Sequence, residues 1–134
     1  MKSLQNLSEK IFTLACATAG IDAPKNAEIS ILLVDVEEMR LLNHEWRGRD
    51  YATNVLSFPT GDMELIGDIV LCDSVIKDEA RDMGKTYDAH LTHMLLHGAL
   101  HLLGFDHETR ADAERMEAIE IKALKKIGIG NPYE

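Results

Sequence analysis

The chain has 134 residues, of which 46% are apolar and 28% charged, with a formal net charge of −9 and two cysteines. That length suits one domain, expected over residues 1–134, and about two-thirds of its unfolded surface is buried on folding, so the core needs no covalent staple. The composition excludes a disordered chain, and the acidic surplus excludes broad, nonspecific coating of nucleic acid, which needs many Lys and Arg contacts with phosphate. No apolar run approaches the ~20 residues that cross a membrane, and the polar start MKSLQNLSEK is not that of a signal peptide. Cys16 and Cys72 sit in apolar stretches without CxxC spacing and read as reduced core residues, so a cytoplasmic address is expected.

Leu4, Leu7, Ile11, Leu14 and Ala15 recur at helical spacing, and Gly20 ends that first helix. Glu28 to Val34 (EISILLV) is aliphatic and β-branched, which predicts a strand. Asp35 is placed to cap the next helix with Glu38 as its capping-box partner. That helix presents Val36, Met39, Leu42 and Trp46 and stops near Gly48. The short run Val55-Leu56-Ser57-Phe58, closed by Pro59, is followed by a turn at Gly61 and Asp62. Ile66 to Cys72 then reads as a strand antiparallel to it, because the connection is short. Asp73 is expected to cap a helix ending at Gly84. A further helix runs from about Tyr87 to Leu103 and breaks at Gly104. Thr109 opens a last helix through Ile127, with Gly128 just beyond it.

The order α-β-α-β-β-α-α-α, with room for one more short strand in a loop, predicts a small mixed sheet packed by about five helices, in the α+β or α/β class. The basic residues are uneven. Arg40, Arg47 and Arg49 cluster, whereas Lys122, Lys125 and Lys126 read as a solvated helix end favoured by the macrodipole.

The segment that carries chemistry is His97 to His107, HGALHLLGFDH. His97 and His101 are four apart in a helical pattern, about 40° apart around the axis and about 6 Å along it, so two imidazoles converge on one point. A third ligand further along the same helix cannot reach that point; Gly104 permits the left-handed turn that brings His107 back. Three neutral imidazoles leave a zinc ion one open position, the arrangement of a catalytic site, whereas structural zinc is usually closed by four protein ligands. His93, one turn back and about 12 Å along the axis from His101, is expected to pack or line the pocket. His44 and His90 have no partner pattern and read as structural or exposed. Asp106, beside a ligand, reads equally as a group orienting an imidazole or as a helix-end cap.

The pattern is similar to the zincin peptidase signature HExxHxxGxxH, and an α+β, zincin-like fold with the metal on a helix and the loop after it is expected. It departs at one residue: Gly98 stands where those peptidases carry their general base.

HGALHLLGFDH also resembles, without a break, the H-G-x-L-H-L-x-G-[YF]-D-H signature of the YbeY family of bacterial endoribonucleases. The blocks LNHEWR (Leu42 to Arg47), TNVLSFP (Thr53 to Pro59) and GDIVLC (Gly67 to Cys72) match that family too, so the resemblance spans roughly Leu32 to His107. Many members have Asp where this chain has Asn54. The resemblance implies one zinc held by His97, His101 and His107. It implies RNA as substrate, with no role on DNA or at a membrane, and single-strand-specific cleavage in ribosomal RNA maturation, at the 3′ end of the small-subunit RNA, and in ribosome quality control. It also implies a catalytic part for Arg47, whose planar cation suits a phosphate held by two hydrogen bonds; a surface ion pair with Glu45 or Asp50 is the alternative. The metal is expected to polarise a phosphodiester oxygen or activate the attacking hydroxyl or water. No carboxylate stands out as the general base. Two other readings stay open: a metal-dependent peptidase or other hydrolase, and a non-catalytic ribosome-associated factor whose zinc is structural or vestigial; a ribosomal protein partner is expected to supply part of the RNA affinity.

Overall fold

Eight elements follow one another in the computed structural model, which describes residues 2–23, 28–60 and 66–134. They are α1 (Lys2–Ala19), β1 (Ile29–Val34), α2 (Val36–Arg47), β2 (Val55–Pro59), β3 (Gly67–Cys72), α3 (Asp73–Met83), α4 (Tyr87–Leu102) and α5 (Arg110–Lys126). Five helices and a three-stranded mixed sheet match the α+β expectation. No further strand appears among the described residues, and the turn expected at Gly61 and Asp62 lies outside them.

β3 is the central strand. It pairs parallel with β1, Ile31 opposite Ile69, and antiparallel with β2, Ser57 opposite Ile69. The pleat sends alternate residues to opposite faces. Ile69 and Leu71 enter the larger core, shared with Ile11 and Ala15 of α1, Leu95, Leu96 and Leu100 of α4, and Met116 and Leu124 of α5. Val70 and Cys72 join Val34, Met39 and Leu56 in a smaller cluster beneath α2. Cys16 and Cys72 are both free and buried.

α4 is the central helix, packed against α1, α3, α5, β2 and β3. Its buried residues run almost continuously from His90 to Leu102, and each fully buried Leu contributes about 1.5–3 kcal/mol. The histidines on this helix therefore stand on a rigid support. Its end forms as expected: Gly104 adopts φ +99, and the Phe105 amide donates to the Leu100 carbonyl at 3.0 Å. The chain turns there, which sends residues 105–107 back beside the last turn.

The predicted caps hold at two helices. Asp35 Oδ1 accepts from the Glu38 amide at 2.8 Å, and Thr109 Oγ1 accepts from the Asp112 amide at 3.1 Å. The cap predicted at Asp73 does not form. β3 runs straight into α3, so Cys72 occupies the cap position without a side-chain bond. Asp73 becomes the first helical residue, and its carboxylate accepts from the Tyr87 hydroxyl and pairs with Lys77. An anion in a first helical turn is favoured there without capping it. Lys122, Lys125 and Lys126 are exposed, as expected of a solvated helix end.

Candidate metal centre

His97 and His101 project from the last turns of α4, and His107 approaches from the loop that Gly104 creates. One ring nitrogen from each of the three lies within 4.8 Å of the others, so this set is able to hold one metal ion. The ring centroids are 4.6 Å apart for His97 and His101, 5.1 Å for His101 and His107, and 5.6 Å for His97 and His107.

The donor chemistry suits a metal ion. His101 Nδ1 lies 2.9 Å from the Phe105 carbonyl, which can only accept, so the ring proton sits on Nδ1 and the Nε2 lone pair is free. His97 Nδ1 faces a Glu120 carboxylate oxygen at 3.4 Å, which leaves its Nε2 free as well. The two Nε2 atoms are 3.0 Å apart. Two bare lone pairs at that distance repel unless a cation or proton lies between them, and the nitrogen–nitrogen edge around zinc is about 3.3–3.4 Å for bonds of about 2.0–2.1 Å. Burial is the largest influence on the His101 imidazole. Helped by the nearby His97, His107 and Arg47, and opposed by the bond to Phe105, it pulls the pKa from 6.5 down to about 4. A ring neutral at pH 7 is the form that binds metal.

The triad opens into a cavity of about 470 Å³ that is also lined by Arg47, Arg49, Asn54, Ser57, Asp106 and Glu108. The Arg47 guanidinium donates to the Ser57 carbonyl of edge strand β2 at 3.4 Å. Of its two expected surface partners, Asp50 pairs instead with Arg40 at 2.9 Å. Asp106 Oδ1 accepts from the Glu108 amide at 3.3 Å, which holds the loop turn; its contact is neither with an imidazole nor with the end of a helix. Asn54 donates to both oxygens of Glu79, at 3.0 and 3.3 Å. An aspartate there would set two carboxylates face to face, so the amide suits this chain.

Gly98 faces the sheet at close range. A Cβ on it would meet Ser57 Oγ and Ile69 Cγ2 at 3.1 Å, and Ser57 Oγ donates to the Gly98 carbonyl at 3.0 Å. The position that holds the peptidase base in HExxH is filled here by strand packing.

The other histidines divide as expected, with partners that the sequence did not disclose. His44 is exposed. His93 is buried, with Nε2 2.5 Å from Glu120 Oε2, and His90, also buried, has Nε2 2.9 Å from Glu79 Oε1. Glu120 was not singled out from the sequence, although a charge in the stripe Met116, Glu120, Ala123, Leu124 was a usable signal. Its side chain is 1% exposed. Burial alone would raise its pKa, but hydrogen bonds and charge from His93 and His97 outweigh that and hold the carboxyl at about 2.

The family model described as Endoribonuclease YbeY matches residues 1–128. The chain belongs to the YbeY family. A relative named Endoribonuclease YbeY from Stutzerimonas stutzeri is 51% identical over 124 residues, covering 88% of this chain and 78% of that protein. One of the same name from Pseudomonas savastanoi is 46% identical over 131 residues, covering 93% and 79%. The solution structure of TM1509 from Thermotoga maritima superposes with a TM-score of 0.58 at 28% identity, covering 94% of this chain and 84% of that one. The histidine triad, Arg47 and Ser57 thus lie within the part of the chain that the YbeY model matches. Among the described residues no helix is long and apolar enough to cross a membrane.

Proposed function

We propose that this chain is an endoribonuclease, a hydrolase acting on RNA, which uses one zinc ion held by His97, His101 and His107 and acts as one domain over residues 1–134. The observation that carries the reading is the meeting of three imidazole nitrogens within 4.8 Å, in a cavity shared with Arg47, in a member of the YbeY family. An all-imidazole donor set suits zinc, and a bound zinc supplies Lewis-acid chemistry for a phosphoryl oxygen and lowers the pKa of a water.

The chain's own residues supply the rest. Arg47 is held by the Ser57 carbonyl at the rim of the triad's cavity, where its remaining N–H groups can take phosphate oxygens and offset charge developing in the transition state. Beyond Arg47 and Ser57 a second, open groove of about 830 Å³ is lined by Trp46, Leu42, Phe58 and Val70. Trp46 is 62% exposed and packs edge-to-face on Phe58 with ring centroids 5.9 Å apart. The exposed Trp46, next to an arginine suited to phosphate, fits unpaired bases, which stack where a duplex cannot. This supports single-strand specificity; membership of the YbeY family supports a role in ribosomal RNA processing, which we assign to maturation of the 3′ end of the small-subunit RNA and to ribosome quality control.

The net charge of −9 limits how tightly the chain alone grips RNA, because nonspecific affinity scales with cations placed against phosphates. A ribosomal protein partner in the cytoplasm would supply the missing affinity, and a pull-down from lysate should retain ribosomal components. The peptidase reading loses its base at Gly98.

The test uses untagged protein loaded with zinc. Single-stranded RNA should be cut and duplex RNA and a peptide panel left intact; chelation should abolish cutting while the far-UV circular dichroism stays, and zinc should restore it. Cleavage that survives complete chelation, or zinc-loaded protein that leaves every RNA intact, would overturn the reading.

A further inference from the structure

Behind the triad, on the far side of His97, lies a buried carboxylate shared by three donors. Glu120 Oε2 is 2.5 Å from His93 Nε2 and 3.4 Å from His97 Nδ1. Its other oxygen, Oε1, accepts from the Tyr133 hydroxyl at 2.9 Å. Tyr133 belongs to the C-terminal segment, which is tied to the body by Lys85 Nζ donating to the Pro132 carbonyl at 2.6 Å. Its ring packs edge-on against His93 with centroids 5.6 Å apart. A carboxylate that is 1% exposed costs several kcal/mol unless it is fully hydrogen-bonded, so the three donors explain how it is retained. They do not explain why it faces a ring whose other nitrogen points at His101.

The two rings on α4 are set from behind by different acceptors. His101 is set by a backbone carbonyl, which no substitution removes. His97 is set by a side chain on another helix. An acceptor at Nδ1 keeps the proton there and the lone pair on Nε2, fixes the ring plane, and makes Nε2 a stronger donor.

We propose that Glu120 is a positioning residue for the reaction, fixing His97 as an Nε2 donor, and that Tyr133 braces Glu120, so that the C-terminal segment tunes metal affinity at a site further along the same face of α4. The inference rests on the metal reading of the triad given above, and Glu120 acts through His97 without touching RNA or metal.

The experiment uses the full chain, with Co²⁺ as the probe, chelator competition for affinity, the visible absorption of the Co²⁺ form for geometry, and long-range ¹H–¹⁵N spectra for ring tautomers. In the metal-free wild type His97 should carry its proton on Nδ1. E120Q keeps the shape but offers one acceptor where two were used, and should weaken Co²⁺ binding about 10- to 100-fold with an altered visible spectrum. Y133F removes one brace only and should weaken binding by less, roughly three- to tenfold, with the fold intact. Should E120Q not fold, the wild-type tautomer and Y133F still decide the matter. A wild-type His97 protonated on Nε2, or E120Q and Y133F binding Co²⁺ within twofold of wild type, overturns the proposal while leaving the triad as a metal site. A wild type that takes up no Co²⁺ overturns the metal reading and this inference with it.

Discussion

Two ends of α4 present histidines to opposite circumstances. At the buried end, His90 and His93 each spend a ring nitrogen on a carboxylate, Glu79 and Glu120, at 2.9 and 2.5 Å. At the open end, His97 and His101 turn ring nitrogens toward each other at 3.0 Å with no carboxylate between them, and His107 joins from the loop. All four helical positions fall on one stripe, because spacings of three and four keep residues on one face. What separates a ligand from a packed histidine is therefore where the second ring nitrogen points: Nδ1 of His97 and of His101 is taken by Glu120 and by the Phe105 carbonyl, while their Nε2 atoms face each other and lack a cation.

Removing His101 should have the largest effect. His101→Ala takes one of three donors from the open end, and both metal occupancy and RNA cleavage should fall by a hundredfold or more, on the order of or beyond what loss of a supporting group costs. Near-stoichiometric metal in the purified variant would break the comparison. Next comes Arg47, which belongs to the open end without being a ligand. Arg47→Ala should lower kcat about 10²-fold with metal content unchanged, and Arg47→Lys should recover little of it, because a point charge does not replace the planar fork. A parallel loss of metal would mean that Arg47 shapes the site and does not serve the reaction.

The open end should also be the acid-sensitive one. His101 has a folded pKa of about 4 against 6.5 for the free side chain, so the fold favours its neutral form. That contribution is complete above pH 6.5 and is lost as pH falls toward 4, because the unfolded chain takes up the proton first. Metal-free protein should lose roughly 3–6 °C in Tm across that window, and His101→Ala should remove that loss. Glu120, with a folded pKa of about 2 against 4.5, adds stability that is present above pH 4.5 and is lost only below it. A melting temperature flat from pH 7 to 4 would contradict the assignment. The smallest effect belongs to the buried end. His90→Phe keeps a planar ring and gives up one hydrogen bond, costing about 1 kcal/mol by denaturant unfolding plus the strain of a slightly larger ring, while metal affinity stays at the wild-type value.

The same contrast explains what could be read before the structure. The triad was legible because its three residues fall within eleven consecutive positions and the helix break between them is written as Gly104. Helix ends were legible where a side chain makes the cap, at Asp35 and Thr109. Asp73 misled, because a strand that passes straight into a helix leaves no separate cap residue, and the same carboxylate serves equally well in the first turn. Glu120 and Tyr133 escaped notice because their meaning lies in contacts 27 and 40 residues away from His93, and nothing local announces such a partner. Arg47 was ambiguous for the same reason: whether it pairs with Asp50 or turns to the cavity depends on Arg40 having claimed Asp50 first.

The most direct test is anomalous X-ray scattering at the zinc edge from a crystal of untagged protein soaked in zinc. The account predicts a single strong peak about 2.0–2.1 Å from one ring nitrogen each of His97, His101 and His107, with no peak at His90 or His93. Rings that turn apart with no peak among them, or a peak seated at the buried end, would contradict it.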